Sequence, residues 1–314
     1  AAPPLSPAPE SSVKLFRRTR LAVSLSLVAA SLALAAAAPA PAEESRPPTA
    51  AATGQLVLIG GGEKPDDAMR KFVELAGGPA APIVAIPTAS SEADAAEYYE
   101  TLFRKTYGCT NMVSLGIRTR ADAMRPDYAA LAGRARGVFF GGGDQIRITD
   151  ALLDTPVGRA IAEAFGRGAV IGGTSAGTAC QSDPMITGEG DFTVLRTKSV
   201  ELVRGLGFFP GVVVDQHFVK RQRENRLLSV ILEHPDLLGV GVDEETAIWV
   251  RPDRTFRVMG RSSVVVLDAG GAAVSCPPDG TGKELLGIHG LTVHVLLPGE
   301  VFDLDSRRVR PGRP

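Results

Sequence analysis

Cysteine is scarce in this chain, with three among 314 residues. Cys109, Cys180 and Cys276 are scattered, form no CxxC and have no histidine cluster beside them. That pattern argues against a disulfide framework and against a zinc site. Surplus charge is also absent: 34 Lys and Arg face 35 Asp and Glu, for a formal net charge of −1, so nothing supports a nucleic-acid partner. Three glycine-rich stretches occur (Gly60–Gly62, Gly141–Gly143, Gly172–Gly177), yet none has the dinucleotide spacing and none carries the GK[ST] of a phosphate loop. Histidine is limited to four positions, which makes any histidine-dependent chemistry easy to localise.

The first fifty residues differ in kind from the rest. Lys14, Arg17, Arg18 and Arg20 precede an uninterrupted apolar and small run from Leu21 to Ala38, followed by Ala-Pro-Ala-Pro-Ala. Basic, then apolar, then small is the order of a secretory signal peptide. The run is also long enough to span a membrane marginally. Its Ala and Ser content makes it weakly hydrophobic, and A-x-A cleavage options follow at once, so export with cleavage is the expectation. The protein is then secreted or periplasmic, without stable membrane association. Residues 1–42 form this leader region, 43–53 a linker, and 54–314 a single folded domain.

From Gly54 onward, short apolar runs alternate with helical patterns. Strands are expected at Gln55–Ile59, Ile83–Ile86, Met112–Ile117, Gly137–Phe140 and Val212–Val214. Helices are expected at Asp66–Leu75, Ala93–Phe103, Val157–Phe165 and Arg221–Leu232. Apolar strands separated by helices imply an α/β fold with a mostly parallel sheet sandwiched by helices. From about residue 246 the chain turns β-rich, which predicts an antiparallel extension of the sheet or a small β subdomain.

Ligands in such sheets bind beyond the carboxyl ends of the strands, where the three glycine-rich stretches can meet. Gly173-Thr174-Ser175-Ala176-Gly177 follows the apolar run Ala169-Val170-Ile171 and precedes a possible helix. A serine between small residues at a strand-to-helix turn is the arrangement of a nucleophile elbow. The bland alternative is a tight glycine-rich turn that merely packs. Such a serine needs a base. His217 directly follows Val212–Val214, so it is placed at a carboxyl-end loop of the same sheet, whereas His234 reads as a helix cap and His289 and His294 lie in the β-rich tail. Beyond His217, a helical wheel turns Arg223 inward with Leu227, Val230 and Ile231, sets Arg226 at the margin and points Arg221 away. Arg223 is thus a candidate carboxylate-binding group.

GGTSAG (172–177), FFGGGDQIRIT (139–149) and VVVDQHFVKRQRENRLLSVILEHPDLLGVGVDEETAIWV (212–250) together resemble the cyanophycinase family of serine peptidases, S51, which also contains aspartyl dipeptidases. The resemblance covers roughly residues 54–300, and its leader resembles that of the secreted branch. It implies a class I glutamine amidotransferase-like (flavodoxin-like) α/β sandwich, no metal or cofactor, and a homodimer. The implied reaction is hydrolysis of cyanophycin, a polyaspartate with arginine on each side-chain carboxyl, to β-Asp-Arg dipeptides. Carried over, Ser175 resembles the nucleophile and His217 the base, while Gln145, Asp215, Gln216, Arg221, Arg223 and Arg226 resemble substrate-pocket residues. The third triad member departs from the family pattern. An ungapped match puts Thr193 where a Glu is expected, and Asp191 or Glu189 just before it could be presented by a loop shift. Backbone N–H groups of Ala176 and of Gly142 and Gly143 are the expected oxyanion hole, and Asp144 or Asp215 the expected carboxylates for the substrate guanidinium. The alternatives are an aspartyl or isoaspartyl dipeptidase and a non-catalytic binding protein. A glutamine amidotransferase is disfavoured because no Cys stands at the elbow.

Overall fold

In a computed structural model, residues 54–310 are described. The leader and linker expectations lie outside them. In chain order the first half runs β1 (Gln55–Ile59), α1 (Asp66–Leu75), β2 (Ile83–Ile86), α2 (Ala95–Thr101), β3 (Met112–Ser114), α3 (Pro126–Arg134), β4 (Gly137–Phe140), α4 (Gln145–Leu152), α5 (Pro156–Gly166), β5 (Val170–Thr174) and α6 (Ala176–Ala179). There follow β6 (Met185–Gly190), β7 (Val200–Val203), β8 (Val212–Gln216), α7 (Glu224–Glu233), β9 (Leu238–Val242) and β10 (Thr246–Val250). The rest is strand: β11 (Thr255–Gly260), β12 (Val264–Asp268), β13 (Ala273–Ser275), β14 (Gly287–His289), β15 (Thr292–Leu296), β16 (Val301–Asp303) and β17 (Arg308–Arg310).

The main sheet has nine strands in the order β17-β16-β11-β10-β1-β5-β4-β2-β3. Strands β1 to β5 pair in parallel, and β10, β11, β16 and β17 extend the sheet antiparallel. The alternation of side chains along β1 explains why both faces are covered. Val57 and Ile59 pack with Phe72 of α1 and Tyr99 of α2, while Leu56 and Leu58 pack on the opposite face with Ile148, Val157 and Ile161 of α4 and α5. A second sheet, β15-β12-β9-β8, contributes Val214, Val240 and Val266 to that same opposite core. Its outer face carries α7 through Leu227, Val230 and Ile231.

The β-rich tail therefore divides its strands between an extension of the main sheet and a second sheet. The expected strand β8 is correct in place but not in membership: it pairs with β9 in the smaller sheet, not with the sheet that ends at Ser175. Short apolar runs look alike in either sheet, and only long-range pairing separates them. The helix expected from Arg221 starts at Glu224, because Gln222 takes a positive φ of 52° and Arg223 becomes the N-cap.

Candidate active site

Parallel pairing puts the carboxyl ends of β1, β5 and β4 side by side, which brings the three glycine-rich segments together. Ser175 lies where β5 gives way to α6, with φ 53° and ψ −116°. This is a backbone conformation an L-residue rarely adopts, and it lifts the side chain clear of the sheet. The turn needs Gly177: a Cβ there would lie 2.2 Å from the Phe140 carbonyl oxygen.

Ser175 Oγ is 2.8 Å from His217 Nε2, and His217 Nδ1 is 2.6 Å from Glu244 Oε1. A carboxylate can only accept, so the proton of a neutral imidazole resides on Nδ1 and the Nε2 lone pair faces the serine hydroxyl. The His217 side chain is 7 % exposed. Burial is the main cause that holds its pKa below the ordinary 6.5. The Glu244 hydrogen bond and charge oppose this, while Arg221 and Arg223 add to it. The imidazole is accordingly neutral at pH 7 and able to accept the serine proton.

The three groups stand on different strand ends, yet one segment of β1 and its following loop holds Ser175 and His217 directly and Glu244 through its neighbour Glu245. Ser175 N–H donates to the Ile59 carbonyl (3.0 Å), His217 N–H to that of Gly60 (2.7 Å) and Glu245 N–H to that of Gly61 (3.0 Å). His217 and Glu245 share the positive φ of Ser175, at 50° and 54°. Gly61 supplies room as well as an acceptor, since a Cβ there would lie 2.2 Å from His217 Cε1. This first glycine run thus supports the imidazole.

Two amides flank the serine. Ala176 N–H opens α6 and has no intrahelical acceptor. Gly142 lies against the Ser175 side chain, and its N–H makes a long 3.3 Å bond to the hydroxyl of Tyr99. Gly143, the other oxyanion expectation, is turned against the Ala89 carbonyl, which a Cβ would meet at 2.1 Å. A cavity of about 380 Å³ opens from Ser175, Gly142 and Thr174 towards Lys64, Glu92 and Tyr98.

Several expectations need correction. Neither Asp191 nor Glu189 meets His217. Asp191 accepts from the Thr193 amide (3.0 Å) and hydroxyl (2.6 Å), and Glu189 is exposed on the ribbon of β6 and β7. The carboxylate on the imidazole comes instead from the turn between β9 and β10. The local signal is only that Asp243-Glu244-Glu245 follows the apolar Leu238–Val242 as a strand-end loop, which does not by itself place it beside His217. Asp215 and Arg226 are turned to each other, not to the cavity. Arg226 Nε donates to Asp215 Oδ2 at 2.6 Å, a second bond joins the pair, and they are 1 % and 3 % exposed. Gln145 is also spent inside, donating to the Ile186 (2.8 Å) and Thr187 (2.5 Å) carbonyls. Asp144 caps α4 through Ile146 N–H. Gln216 does reach the nucleophile, with Oε1 3.4 Å from Ser175 Oγ. Arg223 is half-buried and donates to the Gln216 carbonyl (2.7 Å), and Arg221 is exposed, with its N–H on the His217 carbonyl. Burial, with Arg226 nearby, lowers the Arg223 pKa to about 10.

The sequence profile of Peptidase family S51 matches residues 56–258, a span that includes the serine, the histidine and Glu244. The chain belongs to this family. It is 37 % identical over 262 residues to a cyanophycinase of Synechococcus elongatus, covering 82 % of this chain and 81 % of that one. A cyanophycinase of Trichormus variabilis is 36 % identical over 272 residues, covering 85 % and 91 %. Among solved structures, a peptidase from an acI-B1 actinobacterium superposes with a TM-score of 0.61 at 24 % identity, over 81 % of this chain and 98 % of that one, a likeness of fold. An S51 peptidase is a hydrolase, and no helix among the described residues is long and apolar enough to cross a membrane.

Proposed function

We propose that this peptidase is a serine-type cyanophycinase that hydrolyses multi-L-arginyl-poly-L-aspartate to β-Asp-Arg dipeptides. The observation that carries the reading is the hydrogen-bonded chain Ser175–His217–Glu244, at 2.8 and 2.6 Å, in a protein more than a third identical to cyanophycinases over four-fifths of its length.

Ser175 Oγ attacks a main-chain aspartyl carbonyl while His217 Nε2 takes its proton, and Glu244 stabilises the imidazolium that forms. The tetrahedral oxyanion is held by the amides of Ala176 and Gly142, the latter exchanging its long bond to Tyr99 for the stronger charge. His217 returns the proton to the departing amine, which leaves an acyl-enzyme on Ser175. Water, activated by the same imidazole, then hydrolyses it. Arg223 and Gln216, next to the triad, are the polar groups in reach of the substrate's carboxylates.

The amino-terminal leader exports the enzyme to the periplasm or beyond, and the active form is a homodimer. The test is incubation of the purified protein with cyanophycin and mass detection of β-Asp-Arg. Ser175→Ala should fold and release none, and release at the parent rate by that variant overturns the serine mechanism.

A further inference from the structure

Tyr99 of α2 brings to the nucleophile a buried hydroxyl that the triad and the two amides leave unused. The residue is 5 % exposed, and its ring is held edge-on against Tyr98 (centroids 5.0 Å apart) and tilted on Phe139 (5.8 Å). The phenol passes over Gly141, where a Cβ would lie 3.0 Å from its oxygen, so a residue without a side chain is needed there for the hydroxyl to reach Gly142. The oxygen accepts from Gly142 N–H at 3.3 Å, and a Cβ on Gly142 would lie 3.4 Å from that of Ser175. Tyr99 lines the same cavity as Ser175 and Gly142. Its own proton has no acceptor among the described residues. Burial pushes the pKa of the phenol up to about 12, against the pull of the Gly142 hydrogen bond, so the proton stays in place wherever His217 is neutral. Such a fixed, protonated phenol with an unspent donor is suited to meet charge that develops on a neighbouring oxygen.

We propose that Tyr99 is a catalytic residue whose hydroxyl donates a hydrogen bond to the tetrahedral oxyanion, as a third donor beside the amides of Ala176 and Gly142. This role rests on the serine mechanism proposed above. Two donors 3.3 Å apart can share one acceptor oxygen at ordinary hydrogen-bond lengths of about 2.7–3.0 Å. When the Gly142 amide turns from the phenol to the oxyanion, the phenol is left beside that same oxygen with its proton free to donate. The proton is not transferred: it remains on Tyr99, while the serine proton goes to His217. The bond forms only as the carbonyl oxygen gains charge, so it favours the transition state over bound substrate.

The experiment measures dipeptide release from cyanophycin and the rate of Ser175 labelling by a fluorophosphonate, in the parent, in Tyr99→Phe and in Tyr99→3-fluorotyrosine. Both reactions build negative charge on an oxygen at the same place, and the second needs no particular peptide. Rates are referred to the concentration of serine titrated by the fluorophosphonate, so unfolded protein does not count. Tyr99→Phe keeps the ring and its packing, and should lower kcat and the labelling rate by about 10- to 10³-fold with KM within about threefold. The fluorinated side chain keeps the donor and should hold both rates within about threefold of the parent. A loss smaller than tenfold in Tyr99→Phe, or an equal loss in the fluorinated variant, overturns the inference. The first result is the one expected if the hydroxyl merely occupies the Gly142 amide, because its removal frees that donor. A parent that is labelled yet releases no dipeptide overturns the cyanophycinase reading, and the labelling rates then decide the role of Tyr99. A parent that does neither overturns both.

Discussion

Replacing Glu244 by Gln is the perturbation that bears most directly on the assignment of the third group. The bond from His217 Nδ1 to Glu244 is 2.6 Å long and charge-assisted, of a kind worth roughly 1.5–3 kcal/mol. Loss of that much from the transition state is about 10- to 150-fold in rate. The amide adds a second penalty, because it can donate as well as accept. The imidazole can then sit with Nδ1 unprotonated and Nε2 protonated, leaving the serine without a base. In the serine-protease triad the equivalent change costs about 10⁴ in kcat. A loss of about 10² to 10⁴ in kcat is therefore expected for dipeptide release from cyanophycin. KM should stay within about threefold, because the carboxylate lies behind the imidazole and not in the cavity wall. The pH profile supplies an independent reading. Activity needs neutral His217, so the acid limb of kcat/KM follows its pKa, which lies below 6.5. Glu244 pulls that pKa up, so Glu244→Gln should move the limb to lower pH. A variant within about tenfold of the parent, or an equal loss in Asp191→Asn, refutes the assignment.

Other outcomes follow from the same geometry. Gly61→Ala would place a methyl carbon 2.2 Å from the His217 ring at a φ of +121°, so activity should fall at least about tenfold and the melting temperature should drop. Arg226→Met removes the closer of the two cations on buried Asp215 and leaves it Arg223 at 3.7 Å, so denaturant unfolding should record a loss of at most about 3–5 kcal/mol. If Arg226 were instead a substrate ligand on an otherwise indifferent helix, KM would rise with stability unchanged. In the parent, the acid limb of kcat/KM should fall below pH 6.5, since burial outweighs Glu244 in setting the His217 pKa.

The elbow serine, the histidine and most of the parallel strands were legible because each depends on local pattern. Gln55–Ile59 and Gly137–Phe140 are apolar throughout, and the small residues around Ser175 mark a turn that few sequences can make. What escaped is set by long-range pairing. Nothing local in Val212–Val214 says that it pairs with Leu238–Val242 in a second sheet. Without that pairing the loop at Glu244 cannot be brought beside His217, and local pattern points only to the acids near the elbow, Asp191 and Glu189. The arginine helix was misjudged for a related reason. A wheel started at Arg221 ranks Arg223 innermost, but the helix begins three residues later and Arg226 is the one that goes inside.

The geometry of the triad also explains why its strained residues persist. Ser175, His217 and Glu245 each occupy a positive-φ conformation that costs roughly 1–3 kcal/mol, and each gives its N–H to one of three consecutive carbonyls, Ile59, Gly60 and Gly61. Two of those acceptors lie past the last paired residue of β1, where the chain has left the ladder with its parallel neighbour β5. Their lone pairs are free for the incoming loops, and Gly61 has no side chain to keep the imidazole away. The backbone of β1 thereby joins an elbow from the main sheet to a histidine from the second sheet and a carboxylate on the turn that connects the two. Strain at any one of the three positions can relax only by giving up a bond at the hub that fixes the other two. A substitution in this loop should consequently disturb serine, histidine and carboxylate together, although none of its side chains takes part in the reaction.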